Sequence, residues 1–372
     1  MPVYWSIYII SLLAYLLPSY QNRYYQLYDG TNVRQPAAWC MYLPILTLLF
    51  FVGLRDEVLD THAYIGSFCE TPTDIAGITT YALQSPTGRL FYFVQGLFKA
   101  FISENYYAWL SFLGGVSLFC LFKQYKKHSP DYLFTFFLFI SSTSFTWLIN
   151  GSRQFVVACI LFALSDWIVS KDRKYTIWYL CLILILYYAH SSCLFLLPLV
   201  YICSRGGMLN KRMFLLVVAT MIATYFSDSI MGGASELMGK EYDINEGRGS
   251  SVPRLFVSLV PVALTIFKWS EVKAKATPFM QFAINMSLVG ACFFYASTFT
   301  NGILIGRMPI YFTLYNYILL PWLIKNFYSQ GIVQIVCVVF YTIFFYFQMI
   351  IAWHGLTYVS EILNIYYRSH AY

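Results

Sequence analysis

The chain alternates between long apolar stretches and short polar segments. A membrane-spanning helix needs roughly 20 predominantly apolar residues, within a range of about 17–25. Several stretches approach this length, and each predicts a membrane helix: 3–18, 37–53, 106–122, 131–149, 154–170, 175–189, 192–203, 213–227, 254–268, 279–300, 308–324 and 332–351. The pattern therefore predicts an all-α polytopic membrane protein with about 11–13 transmembrane helices.

Two stretches fit this pattern less well. The segment from Leu90 to Ile102, with its flanks, gives a helix of about 15 residues that reaches about 22 Å, short of the ~30 Å hydrocarbon core. Because it carries Gln95 and Lys99, we expect an amphipathic helix that lies in the membrane interface. The apolar window 175–203 is too long for one helix, and "YYAHSS" at its centre indicates a turn between two shorter helices.

The composition supports the membrane class. Hydrophobic residues make up 59% of the chain and charged residues 11%, whereas a soluble domain is about one quarter charged. The sequence contains no internal repeat, Walker A loop or dinucleotide fingerprint, so we expect a single integral membrane domain over 1–372 and no nucleic-acid partner. The first apolar segment lacks a basic leader and a cleavage site, and we interpret it as a retained helix.

The distribution of basic residues predicts the orientation in the membrane. With these helices, the loops 19–36, 123–130, 171–174, 204–212, 268–278 and 325–331 share one side and hold 15 of the 24 lysines and arginines. Short, densely basic loops are typical of the cytoplasmic side. The opposite side then carries longer loops at about 54–105 and 228–253, and we expect it to be the outer, periplasmic side of a bacterial cytoplasmic (inner) membrane.

The nine cysteines do not indicate a metal or redox site. They have no paired or metal-like spacing, and nearly all fall inside apolar runs, where cysteine behaves as a small hydrophobic residue. We therefore expect no metal site, disulfide or cofactor.

Polar and ionisable residues gather on the predicted outer side. Asp60 and His190 occur there with arginines at or near the membrane boundary: Arg55, Arg89, Arg153, Arg248, Arg254 and Arg307. Arginine is a permanently charged, planar donor suited to phosphate oxygens. Together they suggest a site that handles an anionic phosphate group at the outer membrane surface.

Each member of this set also has a structural interpretation. An arginine at a helix end can extend to lipid headgroups, and a single histidine in a membrane turn can serve as a hydrogen-bonded interface residue. Asp56 and Glu57, in the same loop as Arg55, are expected to form a solvated face. The collective pattern favours a site more strongly than any one residue does.

Four segments, in this order, resemble the EpsG family of bacterial exopolysaccharide polymerases, which is related to Wzy-type O-antigen polymerases: "GLRDEVLDTHAY", "NGSRQFVVACILFAL", "YYAHSSCLFLLPL" and "GRMPIYF". The likeness spans roughly residues 50–325. Its most specific part pairs Gly-Leu-Arg and Asp-Thr-x-x-Tyr with Asn-x-x-Arg-Gln about ninety residues later. The resemblance adds Tyr64, Gln154 and Tyr311 to the substrate-binding candidates.

The resemblance implies a GT-C-like glycosyltransferase that joins oligosaccharide repeat units carried on undecaprenyl pyrophosphate. Such an enzyme works at the periplasmic or outer face, uses lipid-linked donor and acceptor, and pairs with a chain-length regulator protein. In this interpretation Asp60 acts as base or acceptor positioner, with His190 as the second candidate. Arg55, Arg153 and Arg307 would bind the pyrophosphate.

Other classes of protein stay open at this point. Another outer-face lipid-linked glycosyltransferase or an O-antigen ligase would carry a similar set of arginines. A lipid-linked oligosaccharide flippase would need a charged central cavity, which the scarcity of charge within the predicted helices disfavours. A receptor or structural membrane protein leaves the outer arginines without a role.

Overall fold

The computed structural model describes residues 2–226, 249–300 and 303–369. The α-helices are α1 Pro2–Leu16, α2 Ala38–Gly53, α3 Thr61–Glu70, α4 Ile75–Gln84, α5 Arg89–Phe101, α6 Tyr106–His128, α7 Tyr132–Ser141, α8 Ser152–Ala163, α9 Asp166–Val169, α10 Arg173–Tyr187, α11 Leu196–Ser204, α12 Lys211–Tyr225, α13 Val252–Phe267, α14 Trp269–Lys275, α15 Pro278–Thr300, α16 Ile303–Arg307, α17 Asn316–Phe327 and α18 Gln330–Tyr346. Short 3₁₀ segments cover Ser144–Leu148, Ser191–Phe195, Met308–Tyr311 and Thr313–Tyr315, and a π-helical turn covers Phe347–Ala352.

The prediction of a helical protein is confirmed, since 74% of the described residues lie in helices. Two antiparallel hairpins were not predicted: β1 Tyr20–Gln26 with β2 Asn32–Pro36, and β3 Tyr358–Ser360 with β4 Ile365–Tyr367. A signal for the first hairpin was present in the Asp29-Gly30 pair, because Gly30 adopts a positive φ of 87° at the turn and Asp-Gly favours such turns.

Several helices are suited to crossing a membrane. Within the described ranges, four are long and apolar enough by themselves: Tyr106–His128, Ser152–Val169, Pro278–Thr300 and Gln330–Ala352. A fifth candidate is the pair α13 and α14, which is bent by 87°. Four further apolar helices are shorter, Pro2–Leu16, Ala38–Gly53, Tyr132–Ser141 and Ser191–Ser204. These apolar helices indicate a multi-pass membrane protein. The count of 11–13 spans and the GT-C-like arrangement stay predictions.

One face of α18 is suited to lipid. Ile332, Ile335 and Val336 are 69%, 65% and 58% exposed, and Val339 and Ile343 continue the same stripe at helical spacing. An exposed apolar surface of this extent is unfavourable in water. The stripe therefore supports contact between this helix and the hydrocarbon of a bilayer.

The chain divides into two compact units. The first comprises Met1–Leu197 and Ser329–Tyr372, and the second comprises Pro198–Tyr328. In the first unit, every residue of α7 is buried, and α1, α2, α6 and α18 pack against it. In the second unit, α15 packs against α12, α13 and α17, and residues 316–324 of α17 are buried. A single domain over 1–372 stays a prediction.

The predicted amphipathic helix corresponds to α5, and α3 and α4 precede it in the same loop. The Gln95 amide donates to Thr71 Oγ1 at 2.8 Å, and Lys99 Nζ donates to the carbonyls of Cys69 and Thr71 at 2.8 and 2.7 Å. A lysine at these orphan carbonyls stabilises the C-terminal end of α3. Gln95 and Lys99 thus bind α5 to α3.

Trp109 of α6 anchors this loop to the first unit. Its side chain is 1% exposed, and its ring contacts Phe68 of α3 and both Phe91 and Phe98 of α5, with centroid distances of 6.1, 5.5 and 5.2 Å. Aromatic contacts of this kind contribute about 0.5–1.5 kcal/mol each beyond their burial. The loop helices are therefore packed against the helical core of this unit.

Polar contacts are found at both ends of α6. At its C-terminal end, Lys127 Nζ and His128 Nε2 contact the Asp166 carboxylate at 2.7 and 2.8 Å, which brings "KQYKKH" against α9, the short helix that precedes "KDRK". At its N-terminal end, the Tyr106 hydroxyl donates to Asp56 Oδ1 at 2.6 Å. A helix of 23 residues is about 34 Å long, so these polar groups lie far apart along the helix axis.

This separation generates a prediction about sidedness. We expect Thr73→Cys, in the loop of α3 to α5, to react with a membrane-impermeant maleimide on intact spheroplasts. Lys171→Cys, in "KDRK", should react only after permeabilisation, because short basic loops stay on the cytoplasmic side. Both positions are exposed. The measurement is gel-shift labelling in a background where the exposed Cys69 and Cys181 are serine, and reversed labelling would contradict the orientation.

Candidate functional site

Arg55 joins three segments of the first unit. It is 1% exposed. Its Nε donates to Thr61 Oγ1 at 2.9 Å, and its Nη2 donates to Ser152 Oγ at 3.2 Å and to the Ile149 carbonyl at 3.4 Å. Its Nη1 donates to the Val52 carbonyl. The guanidinium therefore connects the end of α2, the start of α3 and the start of α8.

The Arg55 charge is held without a counter-ion in the described part of the chain, where no carboxylate lies within salt-bridge distance of it. Burial lowers the pKa of Arg55 to about 10, so the side chain still carries its proton near neutral pH. Because its donors are directed at protein acceptors, the geometry favours a positioning role for Arg55 over the pyrophosphate contact expected from the sequence.

The C-terminal tail covers the loop that follows Arg55. Val359 accepts backbone hydrogen bonds from Asp56 and Glu57 at 2.8 and 3.3 Å, and Arg368 contacts the Glu57 carboxylate at 3.3 Å. Asp56 also accepts from the hydroxyls of Tyr106 and Tyr107. The expectation of a solvated face was wrong for Asp56, because its carboxylate is engaged by two tyrosines and by the tail.

The Asn-x-x-Arg-Gln motif opens a helix, as predicted, because α8 begins at Ser152. The backbone N–H of Arg153 donates to the hydroxyl of Tyr64 at 3.2 Å. Tyr64 lies one turn into α3, and burial raises its pKa, so the hydroxyl keeps its hydrogen near neutral pH. This bond brings the two most specific motifs of the sequence into direct contact.

The Arg153 guanidinium lies over aromatic rings. Its Cζ is 5.8 Å from the centre of the Phe91 ring and 5.7 Å from that of Tyr92, and Nη1 donates to the Tyr92 hydroxyl at 3.5 Å. A guanidinium carries five N–H donors. In the ranges 2–226, 249–300 and 303–369, the other donors have no protein acceptor and no carboxylate lies within salt-bridge distance. This partly buried cation is therefore available to an anion.

Gly88 of "SPTGR" makes room for that guanidinium. Gly88 has a positive φ of 78°. A Cβ placed on it would meet Arg153 Nη1, and would lie 3.2 Å from Arg153 Cζ and 3.3 Å from the Ala189 carbonyl. The neighbouring Leu90 N–H donates to the Tyr188 carbonyl at 2.9 Å. "SPTGR", "NGSRQ" and "YYAHSS" thus meet around Arg153.

His190 lies in the predicted turn, between the end of α10 and the 3₁₀ segment Ser191–Phe195. Its Nδ1 lies 2.8 Å from Ser192 Oγ, and the Gln154 amide donates to the same oxygen at 3.1 Å. The series His190, Ser192 and Gln154 links this turn to the first turn of α8. With Nδ1 engaged by Ser192, a base role for His190 would fall to Nε2.

Asp60 lies immediately before α3 and is partly exposed. Its carbonyl accepts from the N–H groups of Ala63 and Tyr64 at 3.1 and 3.4 Å, whereas its side chain does not cap the helix. Asp60 therefore lies one helical turn from Tyr64, the residue that binds the Arg153 backbone.

The remaining candidates are described within their own units. Arg89 is exposed at the start of α5, and its Nε donates to the Ser85 carbonyl at 3.4 Å. In the second unit, Arg254 lies 6.0 Å from the Phe294 ring centre, Arg307 is exposed at the end of α16, and Tyr311 is 3% exposed. Arg248 lies outside the described residues.

Sequence reasoning assigned no role to Gly88, Tyr92, Ser192 or the tyrosine pair that binds Asp56. The Pro-x-Gly turn of "SPTGR" and the His-x-Ser of "YYAHSS" were signals that could have indicated the first and third. Among the described residues, no group of three or more histidine, cysteine, aspartate or glutamate side chains could hold a metal ion.

These features define a multi-pass helical membrane protein with an arginine-centred polar site at one end of its first unit. A model of the EpsG family matches residues 38–367, and the chain belongs to the EpsG family. Neither a curated protein nor a solved structure matches it. The family is associated with polymerase-type, glycosyltransferase-like activity in exopolysaccharide synthesis.

The contact at Gly88 leads to a test with a matched control. Gly88→Ala should lower polysaccharide output strongly, because the new Cβ displaces the Arg153 guanidinium. Gly30→Ala is the control, since Gly30 also has a positive φ of 87° but has nothing within 4 Å of an added Cβ. Both changes strain the backbone by about 1–2 kcal/mol. Thermal unfolding measures that shared cost, and equal polysaccharide output from the two variants would exclude the displacement.

Proposed function

We propose that this protein polymerises undecaprenyl-pyrophosphate-linked oligosaccharide repeat units into a surface polysaccharide. The reaction would take place at the periplasmic or outer face of the cytoplasmic membrane, with both donor and acceptor held on lipid carriers. Family membership supports the reaction class, and the polar site around Arg153 supports a pyrophosphate-linked donor. Such a donor is already activated, so the enzyme needs no nucleotide-binding domain.

The observation that carries this proposal is the Arg153 guanidinium. It is partly buried, it is held by Phe91 and Tyr92, and it has no carboxylate partner in the described part of the chain. A guanidinium donor fork matches the oxygens of a phosphate group. The N-terminal end of α8, where Arg153 lies, adds the favourable field of a helix dipole for an anion.

In the proposed reaction, the non-reducing-end hydroxyl of one lipid-linked unit attacks the anomeric carbon of another chain. The new C–O bond forms as the bond to the pyrophosphate oxygen breaks, and undecaprenyl pyrophosphate leaves with the electron pair. Arg153 would stabilise the charge that develops on the leaving group, where one such donor is worth about 10²–10³ in rate. Arg55 would position Arg153 through Ser152. Gln154 would position Arg153 through the first turn of α8.

The attacking hydroxyl loses its proton to a base, a role worth about 10²–10⁴ in rate. We assign it to Asp60, with His190 as the second candidate. Asp60 immediately precedes the helix whose Tyr64 contacts the Arg153 backbone. His190 reaches the first turn of α8 through Ser192 and Gln154. Both residues thus belong to the elements that meet around Arg153.

The test of this function is the surface polysaccharide of a deletion strain. We expect single repeat units on the lipid A core, because transport and ligation persist without polymerisation. Arg153→Lys supplied in trans should restore long chains poorly, since lysine keeps the charge but loses the planar fork. Arg173→Lys, at an exposed position in α10, is the matched control and should restore them fully. Absence of any surface repeat in the deletion strain would indicate a flippase or a ligase instead.

The same assay separates the two candidate bases. Asp60→Asn should abolish long chains while lipid-linked substrate still binds, because the amide keeps the size of the carboxylate but cannot take a proton. His190→Ala should reduce the rate less, since histidine would orient the acceptor or contact phosphate. Each variant is compared at equal protein level in membranes, by chain length of the product.

The pH profile of the wild-type reaction provides an independent criterion. A carboxylate base gives a rate that is flat between about pH 6 and 7, whereas a histidine base gives a rate that falls below about pH 6.5. A falling rate, together with an active Asp60→Asn enzyme and an inactive His190→Ala enzyme, would transfer the base role to His190.

A further inference from the structure

An apolar pocket in the first unit has Arg153 among its lining residues. Its volume is about 200 Å³, and its wall includes Val116 of α6, Val156 and Ile160 of α8, and Leu186 of α10. The distance along α8 from Arg153 to Ile160 is about 10 Å. Because α8 belongs to the candidate membrane span Ser152–Val169, the pocket follows that span away from its cationic end.

We propose that this pocket binds the first part of the isoprenoid chain of a polyprenyl diphosphate, while Arg153 binds the diphosphate. The inference rests on the proposed function and specifies where the lipid part of the donor lies. It extends the site from the pyrophosphate to the hydrocarbon attached to it.

The charge of Arg153 supports a polyprenyl diphosphate as the ligand. Arg153 has guanidinium donors with no acceptor among the described residues, and an anion next to the pocket would supply acceptors. Arg153 and Trp109 line the pocket through carbon atoms, since its wall exposes no polar atom. The remaining described lining residues carry only hydrocarbon side chains, which favours an apolar chain.

The geometry favours a polyprenyl diphosphate over a bilayer phospholipid. In a polyprenyl diphosphate the charged group is attached directly to the first isoprene carbon, so charge and hydrocarbon are adjacent, as Arg153 and the apolar wall are here. A phospholipid places a glycerol and two ester groups between its phosphate and its chains. Those esters would lose water inside a pocket whose wall exposes no polar atom, which is unfavourable.

The experiment uses the full-length protein in nanodiscs and a short-chain polyprenyl diphosphate with a diazirine on its second isoprene unit. After irradiation, peptide mapping should find the label on α6 around Val116 or on α8 between Val156 and Ile160. Excess undecaprenyl pyrophosphate should remove the label, and excess phosphatidylglycerol should not. Label elsewhere, or equal competition by phosphatidylglycerol, would overturn the proposal.

A matched pair of variants adds a quantitative arm. Val116→Phe fills the pocket and should lower the affinity for the probe at least about tenfold. Val336→Phe makes the same change on the exposed face of α18 and should leave the affinity unchanged. Thermal unfolding establishes that both variants fold, and the labelling pattern of the unmodified protein decides the question if Val116→Phe does not. Unchanged affinity in a folded Val116→Phe protein would contradict the pocket assignment.

The two proposals can fail separately. If the deletion strain carries single repeat units but the label lies outside the pocket, the polymerase function stands and the chain lies elsewhere. If the pocket is labelled but the deletion strain lacks every surface repeat, the protein binds a polyprenyl diphosphate for a different purpose.

Discussion

The guanidinium of Arg55 lies where the end of α2, the start of α3 and the start of α8 come together, and the site depends on this junction. Removing a cation from water is unfavourable unless its donors find acceptors. Here the acceptors are Thr61, Ser152 and carbonyls of the joined segments. Separating any of these segments would leave a buried charge with unmet donors, so the three are held in one arrangement.

Arg153 has the opposite environment, although it lies one residue after Ser152, which binds Arg55. Its backbone is fixed by Tyr64 and its guanidinium lies over aromatic rings that attract a cation without neutralising it. The guanidinium donors of Arg55 are therefore engaged by protein acceptors, whereas the protein holds Arg153 in position. This difference supports assigning positioning to Arg55 and substrate contact to Arg153.

Packing contacts around Arg55 and Arg153 hold the site in one arrangement. Trp109 packs the helices α3 and α5 onto α6, and the C-terminal tail pairs with the loop after Arg55. A site that must hold a charged, leaving group in one orientation benefits from such support, because misplacement by even 1 Å lowers the rate strongly. The apolar pocket beside Arg153 is lined by residues of α5, α6, α8 and α10, so lipid and phosphate would be oriented together.

The sequence by itself determined the helical membrane class, the break in 175–203, the amphipathic α5 and the family, because hydrophobic period and local motifs are properties of neighbouring residues. It also named Tyr64, Arg153 and Gln154. Only the tertiary structure decided that Arg55 is buried, that Asp56 is bound by Tyr106 and Tyr107, and that Gly88 lies against Arg153. Burial and contact depend on residues distant in sequence. As sequence motifs, "GLR" and "NGSRQ" are alike in offering an arginine. Only folding surrounds the first guanidinium with hydrogen-bond acceptors and the second with aromatic rings.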